Sequence, residues 1–324
     1  MSAMTVEPNK WSRHSIGAYN DPVLCSLAPM IKNMGKEQEE ALKEALKDGS
    51  MDECVKALNT LQSVPLSINP LVLEAVEWVL EEKLSDDVES FPTTEKSEVP
   101  PRIETSLFEK WSKDEQIDYQ DERHEAKVDN RTSVAERRIL KNRIAEAKEM
   151  MNSFDNTFYL PHQFDNRGRV YYSGNFGHHA HDYIRSMIMF KNKEKVQGNE
   201  EFLALQLANS WGKGQSAVVK MPSNGKGVDK QTLNDRLAWG ADHQSIIEEC
   251  GRDYKATFEI WSKADAPFEF LAACREWYNY TLDPNNYETG LAIGLDATNS
   301  GVQHYSASCL SRKDGFHVNL TAEK

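Results

Sequence analysis

Apolar residues recur along most of the chain at helical spacing. Over residues 36–62, Leu42, Ala45 and Leu46 and then Val55, Leu58 and Leu61 fall on one helical face, interrupted at Gly49-Ser50, which predicts two helices separated by a glycine stop. Asn69-Pro70 supplies a cap and a first-turn proline for a helix over 71–84. Val134, Ile139, Ile144 and Met150 predict a long charged helix over 132–151 that buries these four and turns its basic side chains outward. More helix is expected over 231–280. Two stretches break the pattern. Residues 85–105, rich in Ser, Pro, Thr and acid with Pro92 and the Pro100-Pro101 pair, have the composition of an exposed linker or insertion. Residues 209–230 are loop-like, dominated by Gly212, Gly214, Gly225 and Gly227, and lack the spacing of a Walker phosphate loop. Near the end, the short apolar run Leu291, Ala292, Ile293, Gly294, Leu295 predicts a buried strand and 301–310 a helix. Asp296 then stands at a strand-to-helix junction. The expected class is α+β, mainly helical.

Composition narrows the function. A chain of 324 residues can bury a sizeable core in one large or two modest domains. No stretch has the length of a membrane span and no basic-then-apolar signal opens the chain, so no membrane partner is expected. The cysteines at 25, 54, 250, 274 and 309 show no paired metal spacing and suit a reducing compartment. A net charge of -13 argues against a generic nucleic-acid coat. Local balance differs: over 162–196, Arg167, Arg169, Arg185, Lys191, Lys193 and Lys195 face Asp165, Asp182 and Glu194, a local +3. A second basic cluster, Arg131, Arg137, Arg138, Lys141 and Arg143, lies on the long helix.

Three segments carry candidate chemistry, each with a plainer alternative. In FYLPHQFDNRGRVYY, residues 158–172, Arg167 and Arg169 flank Gly168; a backbone without a side chain there admits close approach of phosphates, which guanidinium groups pair bidentately. The same residues also make a hairpin turn with solvated arginines. In GKGVDK, residues 225–230, Lys230 ends a glycine-rich loop as a point charge for a triphosphate, or as an ordinary loop lysine. In GLDATNSGVQHYS, residues 294–306, the Asp296 carboxylate and the Ala297 carbonyl offer hard oxygen ligands for Mg²⁺, or Asp296 caps the helix that follows.

Together these segments resemble a known family. Asp296 with Ser300, Gly301, Gln303 and His304 resembles motif A of the single-subunit RNA polymerases of bacteriophages and mitochondria, and DNRGRVY resembles their upstream D-x-x-G-R motif. In the right order between them, GVDK resembles the family's triphosphate-contacting lysine segment and APFEFLAACREW, residues 266–277, a helix before motif A. Further likeness reaches back to ALNTLQ, 57–62, and INPLVL, 68–73.

The resemblance implies a right-hand polymerase fold: a helical N-terminal region over 1–84, a linker or insertion over 85–105, a thumb-like helical region over 106–160, and a palm portion over 161–324. It makes Asp296 catalytic, binding Mg²⁺ with the Ala297 carbonyl. Lys230 and Gly301 would meet the incoming ribonucleoside triphosphate, and Asp165, Arg167, Gly168, Arg169, Tyr171, Ser300, Gln303 and His304 would hold DNA template and nascent RNA. Related DNA polymerases carry a glutamate where Gly301 stands, which excludes a 2′-hydroxyl; glycine leaves room for it. The family's motifs B and C have no counterpart here. The resemblance therefore implies one subunit of a split phage RNA polymerase in the cytoplasm of an infected bacterium. It would be inactive without a second subunit bearing motifs B and C, with a promoter-loading factor as a further candidate partner. Two other functions compete: part of a template-dependent DNA polymerase or primase-like enzyme, and a non-catalytic nucleic-acid-binding scaffold subunit.

Overall fold

A computed structural model describes residues 3–12, 17–88, 91–174, 176–294, 299–318, 320 and 321. The chain divides into two compact units, Met1–Ala292 and Ile293–Lys324. The fold is α+β and mainly helical.

The first unit opens with α1 (Pro22–Leu27), α2 (Lys36–Asp48) and α3 (Asp52–Gln62). The expected break falls at Gly49, whose φ of 87° ends α2 in the left-handed region. Strand β1 (Leu66–Ile68) leads into α4 (Pro70–Glu81), where the Asn69 side chain accepts from Leu71 N at 3.1 Å and Val72 N at 3.4 Å. A short α5 (Thr105–Phe108) precedes the 40-residue α6 (Lys113–Asn152), which starts at a Ser112–Glu115 capping box. Then come β2 (His162–Phe164), β3 (Val170–Tyr172), α7 (Asp182–Arg185), β4 (Ile188–Lys195) and α8 (Glu200–Trp211). Helices α9 (Leu233–Asp242), α10 (Gln244–Arg252), α11 (Phe258–Trp261) and α12 (Pro267–Leu282) and strand β5 (Glu288–Leu291) complete it. The second unit holds α13 (Ser300–Ser308) and α14 (Arg312–His317).

β1, β4 and β5 form an antiparallel sheet in the order β1-β4-β5, with Ile68 opposite Ile188 and Leu291 opposite Met189. β2 and β3 form a separate hairpin. The main core gathers Val72, Val76 and Val79 of α4, Leu140, Ile144 and Ala147 of α6, Leu207 and Trp211 of α8, and Phe268, Phe270 and Leu271 of α12. A smaller cluster packs Met4, Trp11, Ala18, Tyr19 and Met30 around Leu58 and Phe164.

Several expectations need correction. The long helix begins nineteen residues before 132, and of the four side chains expected to be buried on it, Val134 and Ile139 are 55% and 49% exposed. Ile144 and Met150 are buried as expected, joined by Ser133, Leu140 and Ala147. The terminal strand is the more polar 288–291 and does not run on through 292–294, while Leu295 lies outside the described residues; β4 and the close approach of Gly290 to Phe190 set its register, since a Cβ on Gly290 would stand 2.2 Å from the Phe190 carbonyl oxygen. Within 85–105, Val88 and Phe91 are buried, Phe91 packing on Tyr183 and Phe268 with ring centroids 5.1 and 5.5 Å away. The stretch after them follows α6, through Asn130 Nδ2 to the Ser97 carbonyl at 2.9 Å and Tyr119 and Arg123 to the carbonyls of Pro101 and Pro100.

The N-terminus of α12 is closed from outside the helix. Asp182, fully buried in α7, accepts from Phe268 N at 2.8 Å and Glu269 N at 3.0 Å. Burial first, then the neighbouring Glu269 charge, raises its pKa to about 7 against the pull of these N–H groups and of Arg185. The native chain therefore holds a proton at Asp182 that the unfolded chain releases near pH ~4. This group thus lowers stability as pH rises from about 4 to about 7, and not above. Replacing it, Asp182→Asn, is expected to cost about 1–2 kcal/mol through the lost second acceptor, with a larger deficit at pH 5 than at pH 7.5 in urea denaturation. A deficit independent of pH would contradict the shifted carboxyl.

Candidate nucleic-acid interface

The 165–169 turn is built by its own carboxylate. Asp165 Oδ1 accepts from Arg167 N at 2.8 Å and Arg169 N at 2.9 Å, while Oδ2 meets Arg167 Nε at 3.2 Å and Nη2 at 3.1 Å. Asp165 N donates to Arg169 O at 2.8 Å and closes the loop. Partial desolvation of the turn opposes, but the Arg169 and Arg167 N–H groups and the Arg167 guanidinium outweigh it and hold the carboxyl below the usual carboxylate range. Gly168 takes φ +78°, and a Cβ there would meet nothing within 4 Å. Arg167, Gly168 and Arg169 are exposed, and Arg169 has no ion pair among the described residues. Asp165 thus acts on the two arginines rather than outward.

Segments from far away hold the hairpin. Phe164 N donates to Met30 O at 2.7 Å and Lys32 N to Phe164 O at 2.8 Å, while Tyr19 Oη donates to Ser173 O at 2.7 Å. Lys32 Nζ lies 5.2 Å from the Tyr171 ring centroid, a cation–π contact beside the arginine turn. The surrounding basic balance is less concentrated than its sequence count. Arg185 pairs with Glu269, and Lys191 Nζ lies 3.1 Å from Asp155.

The remaining sites lie elsewhere. Lys230 ends a single 3-10 turn after the glycine-rich loop, exposed, with Nζ 2.7 Å from Asp229 Oδ2. Asp296 and Ala297 fall outside the described residues. In the second unit, the helix cap is Asn299, whose side chain accepts from Val302 N at 3.4 Å, so α13 has a capping residue of its own. Ser300, Gly301 and His304 are exposed in its first turns. Gln303 is half-buried, its Nε2 donating to Val318 O at 2.6 Å and tying the residues after α14 to α13. A Cβ on Gly301 would find only Asn299 Oδ1, at 3.9 Å; packing does not demand glycine there. Among the described residues, no group of three or more His, Cys, Asp and Glu could hold a metal. Among the described residues, no helix is long and apolar enough to cross a membrane.

Comparison with known proteins bears on this constellation. Residues 193–324 match the family model of DNA-dependent RNA polymerase. The DNA-directed RNA polymerase of Enterobacteria phage T3 is 29% identical over 278 residues, covering 84% of this chain and 28% of the phage protein. The chain is thus similar in sequence to DNA-directed RNA polymerases of phages and organelles. DNA-directed RNA polymerase 2, chloroplastic/mitochondrial, of Arabidopsis thaliana is 29% identical over 332 residues, 98% of this chain and 29% of its own length. The DNA-directed RNA polymerase of Pseudomonas phage phiKMV is 27% identical over 342 residues, 98% of this chain and 38% of its own length. The chain thus spans well under half of these relatives. The arginine hairpin precedes the family-model match but lies within the likeness to the Arabidopsis and phiKMV enzymes, which extends over nearly the whole chain.

Sequence patterns missed Lys32, Tyr19 and Asn59, which brace the hairpin and its cluster; Asn59 Oδ1 accepts from Trp11 N and its Nδ2 donates to Trp11 O, both at 2.8 Å. No motif marks them. The substitution Gly168→Ala is expected to destabilise the chain by about 1 kcal/mol, because the added methyl has space but φ is left-handed. Chemical denaturation reads this directly, and a loss above about 3 kcal/mol would mean that the turn has hidden packing.

Proposed function

We propose that this chain is the part of a DNA-directed RNA polymerase that holds template and nascent RNA at the 165–171 hairpin and supplies one metal-binding aspartate, Asp296. Motifs B and C would come from parts of the enzyme outside these residues. One observation carries most weight: the D-x-x-G-R segment folds as a turn whose own carboxylate holds two exposed arginines in place. It lies upstream of a family match that runs through Asp296. Residues 161–324 are then the palm portion, 106–160 a thumb-like region, 85–105 an insertion docked along it and 1–84 a helical N-terminal region. Lys230 would exchange Asp229 for a ribonucleotide's phosphates, and Gly301 would leave room for the 2′-hydroxyl. Ser300, Gln303 and His304 would face the same strand.

Asp296 and the Ala297 carbonyl form a hard-oxygen donor pair of the kind Mg²⁺ takes, yet they are too few for two ions held about 3.5–4 Å apart. A further carboxylate would come from outside residues 1–324. Bound by this set, the ions would stabilise charge that develops on the attacking and leaving oxygens.

The decisive test is Asp296→Asn in an active polymerase that contains residues 1–324. Single-nucleotide extension of an RNA primer should fall on the order of 10³-fold or more, with the thermal melt unchanged. Near-normal extension would remove the metal role, since asparagine caps a helix about as well as aspartate. Separately, Arg167→Ala or Arg169→Ala should weaken template complexes across all sequences and lower the salt slope by about one charge. A loss confined to one template sequence would point to base reading instead.

A further inference from the structure

Next to the arginine turn lies a cleft with no role in the assignments above. β3, residues 176–181, α6 and α7 enclose about 660 Å³, lined by Arg143, Tyr172, His179, His181, Asp182 and Arg185 among others. That volume is in the range of sites for small organic ligands.

One wall is a stack of rings. Tyr172 is buried, and Gly177 is pressed against its ring so closely that a Cβ there would stand 2.6 Å from Cζ. The His179 imidazole lies nearly parallel to Tyr172, with centroids 5.3 Å apart and 12° between the planes, and 5.2 Å from Tyr171. His179 is itself exposed. Beside it His181 stacks on Tyr183 at 5.4 Å and 8°. Histidines mounted on buried tyrosines are flat platforms with fixed orientation.

The other wall carries two guanidinium groups whose charges are only partly satisfied. Arg143 reaches Glu146 through Nη1 at 2.5 Å, while its Nε is buried with no hydrogen-bond partner among the described residues. A buried donor left unpaired calls for an acceptor. Arg185 pairs with Glu269 and remains 39% exposed at its side chain. The acids in the lining are engaged elsewhere: both Asp182 oxygens accept from the start of α12, and Asp265 Oδ2 accepts from Lys213 N at 2.7 Å.

An aromatic platform facing guanidinium donors is the chemistry that binds an unstacked base with its phosphate. We propose that this cleft seats one nucleotide of a single strand of nucleic acid, its base laid on His179 and its phosphate drawn to Arg143 and Arg185. The assignment rests on the polymerase function proposed above and extends it to a second contact on the same strand. Inorganic phosphate alone would leave the ring stack without a purpose, and a duplex would not offer a free base face.

The chain of residues 1–324 is titrated by fluorescence anisotropy with labelled U12 and dT12. The same strands with one 4-thio base are photocrosslinked and the adducts mapped, and UMP serves as competitor. His179→Ala should weaken binding about tenfold, the loss of one base–aromatic stack, and His179→Phe should restore it. Adducts should fall on His179 or Tyr172, and the stronger of the RNA and DNA signals names the strand. Unchanged affinity in His179→Ala, with loss in Arg167→Ala and Arg169→Ala, would overturn the cleft and leave the hairpin function standing. No oligonucleotide binding by the wild-type chain would overturn both. Competition by UMP at the concentrations where the 12-mers bind, without adducts in the cleft, would mean a free-nucleotide site and overturn the strand proposal.

Discussion

The arrangement of the first unit depends on one buried carboxylate reaching across the chain. Asp182 accepts from the first free N–H groups of α12, 86 and 87 residues away in sequence, where the helix's own preceding residue, Ala266, offers no side-chain acceptor. Those N–H groups are buried and would otherwise lack partners. With its start fixed, α12 packs on α10 so closely that a Cβ on Gly251 would stand 2.2 Å from the Cys274 carbonyl oxygen. Its middle then fixes β5, since Tyr287 Oη and Thr289 Oγ1 both donate to Glu276 Oε2, at 2.9 and 2.6 Å. The position from which the chain leaves β5 toward the second unit is therefore traceable to Asp182.

A similar economy governs the arginine turn. Two like charges two residues apart repel, and an exposed loop would let them separate. Asp165 prevents this by binding the backbone of both and the side chain of one. The N-terminal residues contribute little surface of their own to the hairpin's chemistry. They act as its buttress, through backbone pairing of 30–32 with Phe164 and the Tyr19 hydroxyl on Ser173.

What the sequence made legible was local. Gly49 and Asn69-Pro70 announce their own backbone geometry, and the structure has the stop and the cap where these residues stand. The first half of α6 was not legible, because Ile117 and Val128 are too sparse to make an apolar face and are exposed; the Ser112–Glu115 box and charged side chains start the helix instead. The buried face of its second half was legible at Ile144 and Met150 and misread at β-branched Val134 and Ile139, which look like core while Ser133 and Leu140 occupy it. Residues 288–291 form the strand through pairing with β4 and Glu276, neither near in sequence. Asp182 counted only as one acid in the charge balance of residues 162–196, and only its distant partners give it a purpose. For the candidate site, the motif order was readable but the internal work of Asp165 and Gln303 was not.

Helix α6 has a mechanical consequence. Forty residues at about 1.5 Å each make a rod roughly 60 Å long. Its C-terminal end is clamped, with Leu140, Ile144, Ala147 and Met150 in the core, whereas among its first twenty residues only Ala126 is buried. Such a rod is a lever with its fulcrum near Leu140. A tilt of about 5° there sweeps the far end, roughly 40 Å away, through about 3.5 Å.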